Sequence, residues 1–153
     1  WSSLLPTGFG PDQFAQKIPE FPDHWRAIEE ATEAMPYRLV TAPARHYLNS
    51  SFTETPTSMR RENRPSVMIH PDDAHDLKLK DGTRVRLGND RGDLIIHTEL
   101  FDGVQRGVVI VESIWPNHAF EEGIGINVLT GSDPVGPVGG AAFHDNRVWI
   151  KPI

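Results

Sequence analysis

Between Ser66 and Ser113, apolar and polar residues alternate in short runs cut by sharp turns. Val67 and Ile69 alternate with Met68 and His70, the period of a strand. Pro71 then fits a first helical position, and Asp72 and Asp73 put negative charge at the positive end of a short helix. After the Asp81-Gly82 break, Val85 and Leu87 alternate with Arg84 and Arg86. Beyond the turn Asn89-Asp90-Arg91-Gly92, the residues Leu94, Ile96, Thr98 and Leu100 alternate with Ile95, His97 and Glu99. Asp102-Gly103 closes that strand. The apolar run Gly107 to Val111 predicts a strand buried on both faces. Short strands, a turn about every ten residues and no long helix predict a mainly β chain closed into a small barrel.

The flanks read differently. Tyr37 to Thr41 predicts a first strand, and Arg147 to Lys151 a last one. Residues 1–35 form a separate extended tail, with prolines at 6, 11, 19 and 22 and no sustained period. Its aromatic residues Trp1, Phe9, Phe14, Phe21 and Trp25 predict that it wraps a surface. His24 to Ala34 predicts one short helix in this tail, ended by Pro36, because the residue before a proline is pushed out of helical geometry. Residues 36–153 form the barrel domain. Thr53 to Arg64 is polar, with arginines at 60, 61 and 64, and is expected to be a solvated loop.

Composition narrows the chemistry. With 153 residues the chain can bury about two-thirds of its unfolded surface, enough for a core without staples. It has no cysteine, which excludes disulfides, thiolate metal sites and cysteine nucleophiles within it. A net charge of −6 argues against a nucleic-acid footprint. No apolar run reaches the ~20 residues of a membrane-spanning helix, so no membrane insertion is expected. The first residue is Trp, not Met, which suggests a piece of a longer polypeptide.

Two stretches are more polar than turns require. Thr41 to Ser51 gathers hydroxyls, an amide and a guanidinium; such a set suits phosphate or carboxylate, and a capped turn with an exposed arginine is the plain alternative. Asn127 to Phe143 carries glycines at 131, 136, 139 and 140. A loop of so little bulk can present backbone N–H groups to an anion, or simply connect strands. It lacks the Gly-Lys-Ser/Thr of a Walker loop, and neither HExxH nor GxSxG occurs in the chain. No metal ligated by this chain is expected. Gly131-Ser132 also fits a self-processing pyruvoyl barrel, a reading carried by that dipeptide alone.

Four blocks, taken in order, carry a resemblance. They are PYRLVTAPARHYLNSSF, VMIHPDDAHDLKLKDGTRVRLGNDRGDLIIHTEL, GVVIVESIWP and INVLTGSDPVGPVGGAAFHDNRVWI. Together they resemble the C-terminal domain of molybdopterin-guanine-dinucleotide oxidoreductases, the dimethyl sulfoxide reductase superfamily. The first loop and the GGAAFHDN ending look most like the formate dehydrogenase and biotin sulfoxide reductase branches. The resemblance covers residues 36–151 and implies a six-stranded double-psi β-barrel with short helices. It further implies that the domain closes over a bis-molybdopterin guanine dinucleotide, with molybdenum or tungsten held by the cofactor and by other domains. Carried over residue by residue, Thr41, Arg45 and His46 would contact pterin or pyrophosphate, and Asn49, Ser50 and Ser51 would add hydrogen bonds. Asn127 would face the pterin, with Asp133, Gly139 and Gly140 flanking the dinucleotide arm. Ala42-Pro43-Ala44 stands where many relatives place an arginine nearer the threonine.

On this reading the chain alone is not catalytic, and its partners are the remaining domains of a cytoplasmic parent oxidoreductase, with the periplasm the other possible setting. The competing class is a protein-interaction module on the same barrel.

Overall fold

The computed structural model describes residues 29–113, 115–135 and 140–153. The elements run β1 (Tyr37–Pro43), α1 (Pro56–Glu62), β2 (Ser66–Ile69), α2 (Pro71–Asp76), β3 (Arg84–Gly88), β4 (Asp93–Leu100), β5 (Val108–Ser113), β6 (Pro134–Val135), β7 (Gly140–Ala141) and β8 (Asn146–Pro152). Six strands close a barrel in the order β1-β5-β2-β4-β3-β8, and β6 and β7 form a separate two-stranded hairpin. The β1/β5 and β2/β4 pairs are parallel, whereas the remaining barrel pairs are antiparallel. This interlocked order is that of a double-psi β-barrel. Closure leaves the barrel without a free edge.

Alternation sets the interior. Leu39, Val67, Ile69, Val85, Leu87, Leu94, Ile96, Val109, Val111 and Val148 point inward and are essentially inaccessible to water. On β5 the outer residues Val108 and Ile110 are only half-buried, so that strand is not covered on both faces as its apolar run suggests. β4 fits that description better, because Ile95 is buried between the inward-facing Leu94 and Ile96.

Helix α2 follows the expected logic. Pro71 opens it, and the His70 ring nitrogen Nδ1 caps it by accepting from the Asp72 N–H at 3.1 Å. Asp73 is buried; it accepts from Arg106 Nε at 2.8 Å and from the Gly107 N–H at 2.7 Å. The helix is thereby tied to the β4–β5 turn.

Two local expectations change. Residues 56–62 of the expected loop are the helix α1, which carries no buried residue. Proline at its start fits an N-terminal turn, but its polar surface has no apolar stripe to betray it. Of the helix expected over 24–34, the described part from 29 onward is not helical. There the Met35 N–H donates to Thr32 O at 3.1 Å and to Thr32 Oγ1 at 3.2 Å, and the Thr32 N–H donates back to Met35 O at 3.0 Å. A local side-chain bond of this kind competes with helix. Residues 24–28 and the rest of the expected tail lie outside the described residues.

Candidate cofactor site

The strand register places both singled-out stretches at one rim. β1 runs parallel to β5 and antiparallel to β8, so the ends of β1 and β5 share a rim with the start of β8. The β3–β4 turn joins this rim through Gly88, opposite Trp149. The start of β2 reaches it too, since Val67 pairs with Val111.

Thr41 lies near the end of β1, with Oγ1 3.3 Å from His144 Nδ1. His144 belongs to the segment just before β8, and its ring lies against Phe143 at 4.3 Å between centroids. Asn146, almost fully buried, knits this segment to the other stretch. Its Oδ1 accepts from the Gly131 N–H at 3.1 Å and its Nδ2 donates to His144 O at 3.1 Å.

Asn127 sits on a short 3₁₀ turn, Ile126–Leu129, whose apolar residues Ile126 and Leu129 face the core. The β3–β4 turn holds it there. Asn89 Nδ2 donates to Leu129 O at 2.8 Å, and Arg91 donates to the same carbonyl from Nε at 3.0 Å and Nη2 at 2.8 Å. Packing adds to this: a Cβ on Gly92 would lie 2.6 Å from Val128 Cγ2, so only glycine lets the turn approach. Asn127 itself is exposed, and among the described residues no hydrogen bond engages its carboxamide. Asp133 is also exposed, Gly140 pairs with Val135 in the β6–β7 hairpin, and Gly139 lies outside the described residues.

Glu29 clamps the same side of the rim. Its carboxylate receives Arg91 Nη1 at 2.7 Å and Nη2 at 3.2 Å, and the Arg147 N–H at 3.0 Å. Burial alone would raise this carboxyl; the Arg91 hydrogen bonds, the Arg147 N–H and their positive charge outweigh it and hold the group below its ordinary value.

The other stretch forms a distinct turn after β1. Ala44 and Tyr47 are buried and anchor it, whereas Arg45, Asn49, Ser50 and Ser51 are exposed and His46 is half-buried. The Tyr47 ring meets Trp115 edge-on at 5.1 Å. Leu48 and Ser51 exchange backbone hydrogen bonds at 3.1 and 2.8 Å, with Asn49 at φ 52° between them. Asparagine tolerates that left-handed conformation better than most residues. Phe52, at φ 69° and 56% exposed, has neither glycine's freedom nor a buried ring to offset the strain. The His46 N–H donates to a Glu62 carboxylate oxygen.

Thus Thr41 is joined to the Asn127–Asp133 side through His144 and Asn146. Among the described residues, Arg45, His46 and Asn49–Ser51 make no hydrogen bond to residues 127–133. Sequence reasoning passed over His144, Asn146, Asn89, Glu62 and Glu112, whose roles depend on the barrel's register. Only Asn89 and Arg91 carried a local signal, as turn residues.

The donor set suits a dinucleotide. A pyrophosphate takes a guanidinium and N–H or O–H donors, while pterin and purine edges take amides and hydroxyls. Arg45, Asn49, Ser50, Ser51, Thr41 and Asn127 offer these groups at one rim. The Tyr47 hydroxyl is buried with no hydrogen-bond partner among the described residues. Among those residues no His, Cys, Asp or Glu side chains converge as a metal site.

Comparison with known proteins identifies the family. Residues 37–148 match the family described as "Molydopterin dinucleotide binding domain". The chain belongs to that family, within the superfamily of molybdopterin oxidoreductases. It is 34% identical over 140 residues to a biotin sulfoxide reductase of Cereibacter sphaeroides, covering 85% of this chain and 18% of that protein. With the probable oxidoreductase YoaE of Bacillus subtilis (strain 168) it shares 29% identity over 118 residues, or 77% of this chain and 17% of the relative. The putative catalytic chain of a dimethyl sulfoxide reductase of Halobacterium salinarum is 28% identical, over 84% of this chain and 15% of the relative. Among solved structures, acetylene hydratase from Pelobacter acetylenicus shares the fold, with a TM-score of 0.66 at 14% identity over 78% of this chain and 18% of that one. The chain therefore spans less than a fifth of the length of these relatives. The cofactor that goes with this family is molybdopterin guanine dinucleotide. No helix among the described residues is long and apolar enough to cross a membrane.

Proposed function

We propose that residues 36–153 form the domain of a larger oxidoreductase that buries and orients a bis-molybdopterin guanine dinucleotide, joined through residues 1–35 to a preceding domain. The parent is of the sulfoxide reductase and formate dehydrogenase kind, a cytoplasmic enzyme. The cofactor and other domains hold the molybdenum or tungsten and supply the redox chemistry. This chain's residues bind and orient: Arg45 and His46 neutralise the pyrophosphate, and Asn49, Ser50 and Ser51 donate to the dinucleotide. Thr41 and Asn127 meet the pterin, and Asp133, Gly139 and Gly140 border the nucleotide arm.

One observation carries the reading. Arg38, Arg84, Arg86, Arg91, Arg106 and Arg147 are each in an ion pair. Among the described residues no carboxylate pairs with the guanidinium of Arg45, or with those of Arg60, Arg61 and Arg64. In a chain of net charge −6, the Arg45 guanidinium, left without an ion pair in the turn after β1, is available to an anionic ligand. A charge-assisted hydrogen bond contributes about 1.5–3 kcal/mol. Arg45→Ala in the full-length polypeptide is therefore expected to lower its content of metal and guanine-containing pterin about tenfold or more. Unchanged content at equal expression would remove the assignment.

A second reading, a protein-interaction surface, draws on exposed Leu48, Phe52 and Met59 in the same region. It predicts that Arg45→Ala leaves cofactor content intact while Phe52→Ser weakens association with a partner chain.

A further inference from the structure

Helix α1 buries none of its residues, so apolar packing does not explain its place on the barrel. What it contributes is its last residue. The Glu62 carboxylate accepts the backbone N–H of His46, and the Glu112 carboxylate, from the end of β5, lies where the Arg45 backbone N–H and His46 favour its charge. The Arg45–His46 segment is thus held through the His46 N–H by an acid from α1, with a second acid, from β5, beside it. Fixing the His46 N–H fixes the peptide plane that follows Arg45, and so restrains the direction in which its Cβ and guanidinium leave the loop.

This arrangement is costly. Glu112 is half-buried, and burial, Glu62 and Glu99 all push its carboxyl up, offset in part by the Arg45 N–H and by His46. Glu99 is itself engaged by Ser66 Oγ at 2.7 Å, and no arginine or lysine side chain bonds to any of the three acids among the described residues. Like charges gathered in this way weaken the fold unless the site returns something else. What they hold is the loop bearing Arg45, His46, Asn49, Ser50 and Ser51.

We propose that Glu62 is a positioning residue that locks the Arg45–His46 backbone, with Glu112 supporting it from β5, and so aims the cofactor-binding loop. This rests on the reading of that loop given above. An unpinned loop would have to be ordered by the ligand, at the expense of affinity.

The test uses the full-length polypeptide that contains this domain. Hydrogen–deuterium exchange of the peptide spanning residues 44–51 is compared in wild type, Glu62→Ala, Glu112→Ala and the corresponding Gln variants. The cofactor content of each is measured alongside Arg45→Ala. The alanine variants are expected to exchange at least tenfold faster in 44–51 with unchanged protection in β2, β4 and β8, and to hold several-fold less cofactor. Gln keeps a carbonyl acceptor and is expected to restore most of both. Glu62 lies on a helix without buried residues, so its truncation tests the idea even if Glu112→Ala fails to fold. Unchanged exchange at 44–51 overturns the inference whatever the cofactor content. Faster exchange with full cofactor content, alongside loss in Arg45→Ala, overturns it too, because the loop then needs no aiming. Full content in Arg45→Ala as well places the failure in the reading of the loop itself.

Discussion

Two glutamates at the same rim have opposite electrostatic characters. Glu29 sits between the Arg91 guanidinium and the Arg147 N–H, and its carboxyl is held below the ordinary 4.5. A lowered folded value means that its contribution is present above pH 4.5 and is lost as the pH falls through that lowered value. Glu112 is raised from 4.5 by burial and by Glu62 and Glu99, so its contribution is whole below pH 4.5 and is lost as the pH rises through the raised value. Glu29→Gln is accordingly expected to cost about 1 kcal/mol at pH 7, with the deficit shrinking as the pH drops below 4.5. Glu112→Gln is expected to do the reverse: a higher Tm at pH 7 and no change at pH 4. Thermal unfolding of both variants at the two pH values checks the signs. A Tm lowered at pH 7 by Glu112→Gln would mean that the three acids do not repel as their placement implies.

At the scale of elements, the link between the β3–β4 turn and the 3₁₀ turn at 126–129 is an exacting contact at the rim. A methyl at Gly92 would stand 2.6 Å from a methyl of Val128, and a β-branched side chain has little rotamer freedom to retreat. Gly92→Ala is expected to push the 126–129 turn, and Asn127 with it, off the barrel at about 1–2 kcal/mol. Differential scanning calorimetry would read the stability and metal analysis the cofactor content; wild-type values in both would mean that the turn adapts freely. The pattern of what was legible follows from the same physics. Strands β1 to β5 and β8 announced themselves because each must put alternate residues into a shared core. Gly92 was legible as a turn residue but not as a contact, since Val128 reaches it only through the folded register. Helix α1 was missed because it has no buried face, and the helix expected over 24–34 ends in a Thr32 turn that outcompetes it over the described part. Of the candidate site, Thr41, Arg45 and Asn127 carry side-chain types that single them out, whereas Glu62 and Glu112 do not. An acid in a polar helix and another at a strand end look solvated until closure brings both under one loop.

For the whole molecule, the decisive feature is closure. β8 pairs with β1 on one side and with β3 on the other, so among the described strands the last completes the ring begun by the first. The β3–β8 seam depends on Gly88: a Cβ there would fall 2.3 Å from Trp149 Cζ2 and 2.7 Å from Asp93 Cβ, against an indole that also carries Lys151 Nζ 4.3 Å from its ring centre. Neither neighbour can yield cheaply, because Asp93 is ion-paired to Arg86 and Trp149 lies between the buried Val148 and Ile150. Gly88→Ala is therefore expected to cost about 2–3 kcal/mol. Because a closed ring has no strand that can leave without exposing two edges, the loss should appear as one cooperative transition at lower urea, not as local fraying. Trp149 makes this measurable, with near-ultraviolet circular dichroism reporting side-chain packing and far-ultraviolet reporting the strands. Coincident curves, shifted together, are the expected result. A near-ultraviolet transition that precedes the far-ultraviolet one would instead show a seam that opens by itself, and a rim at 127–146 able to part from the barrel.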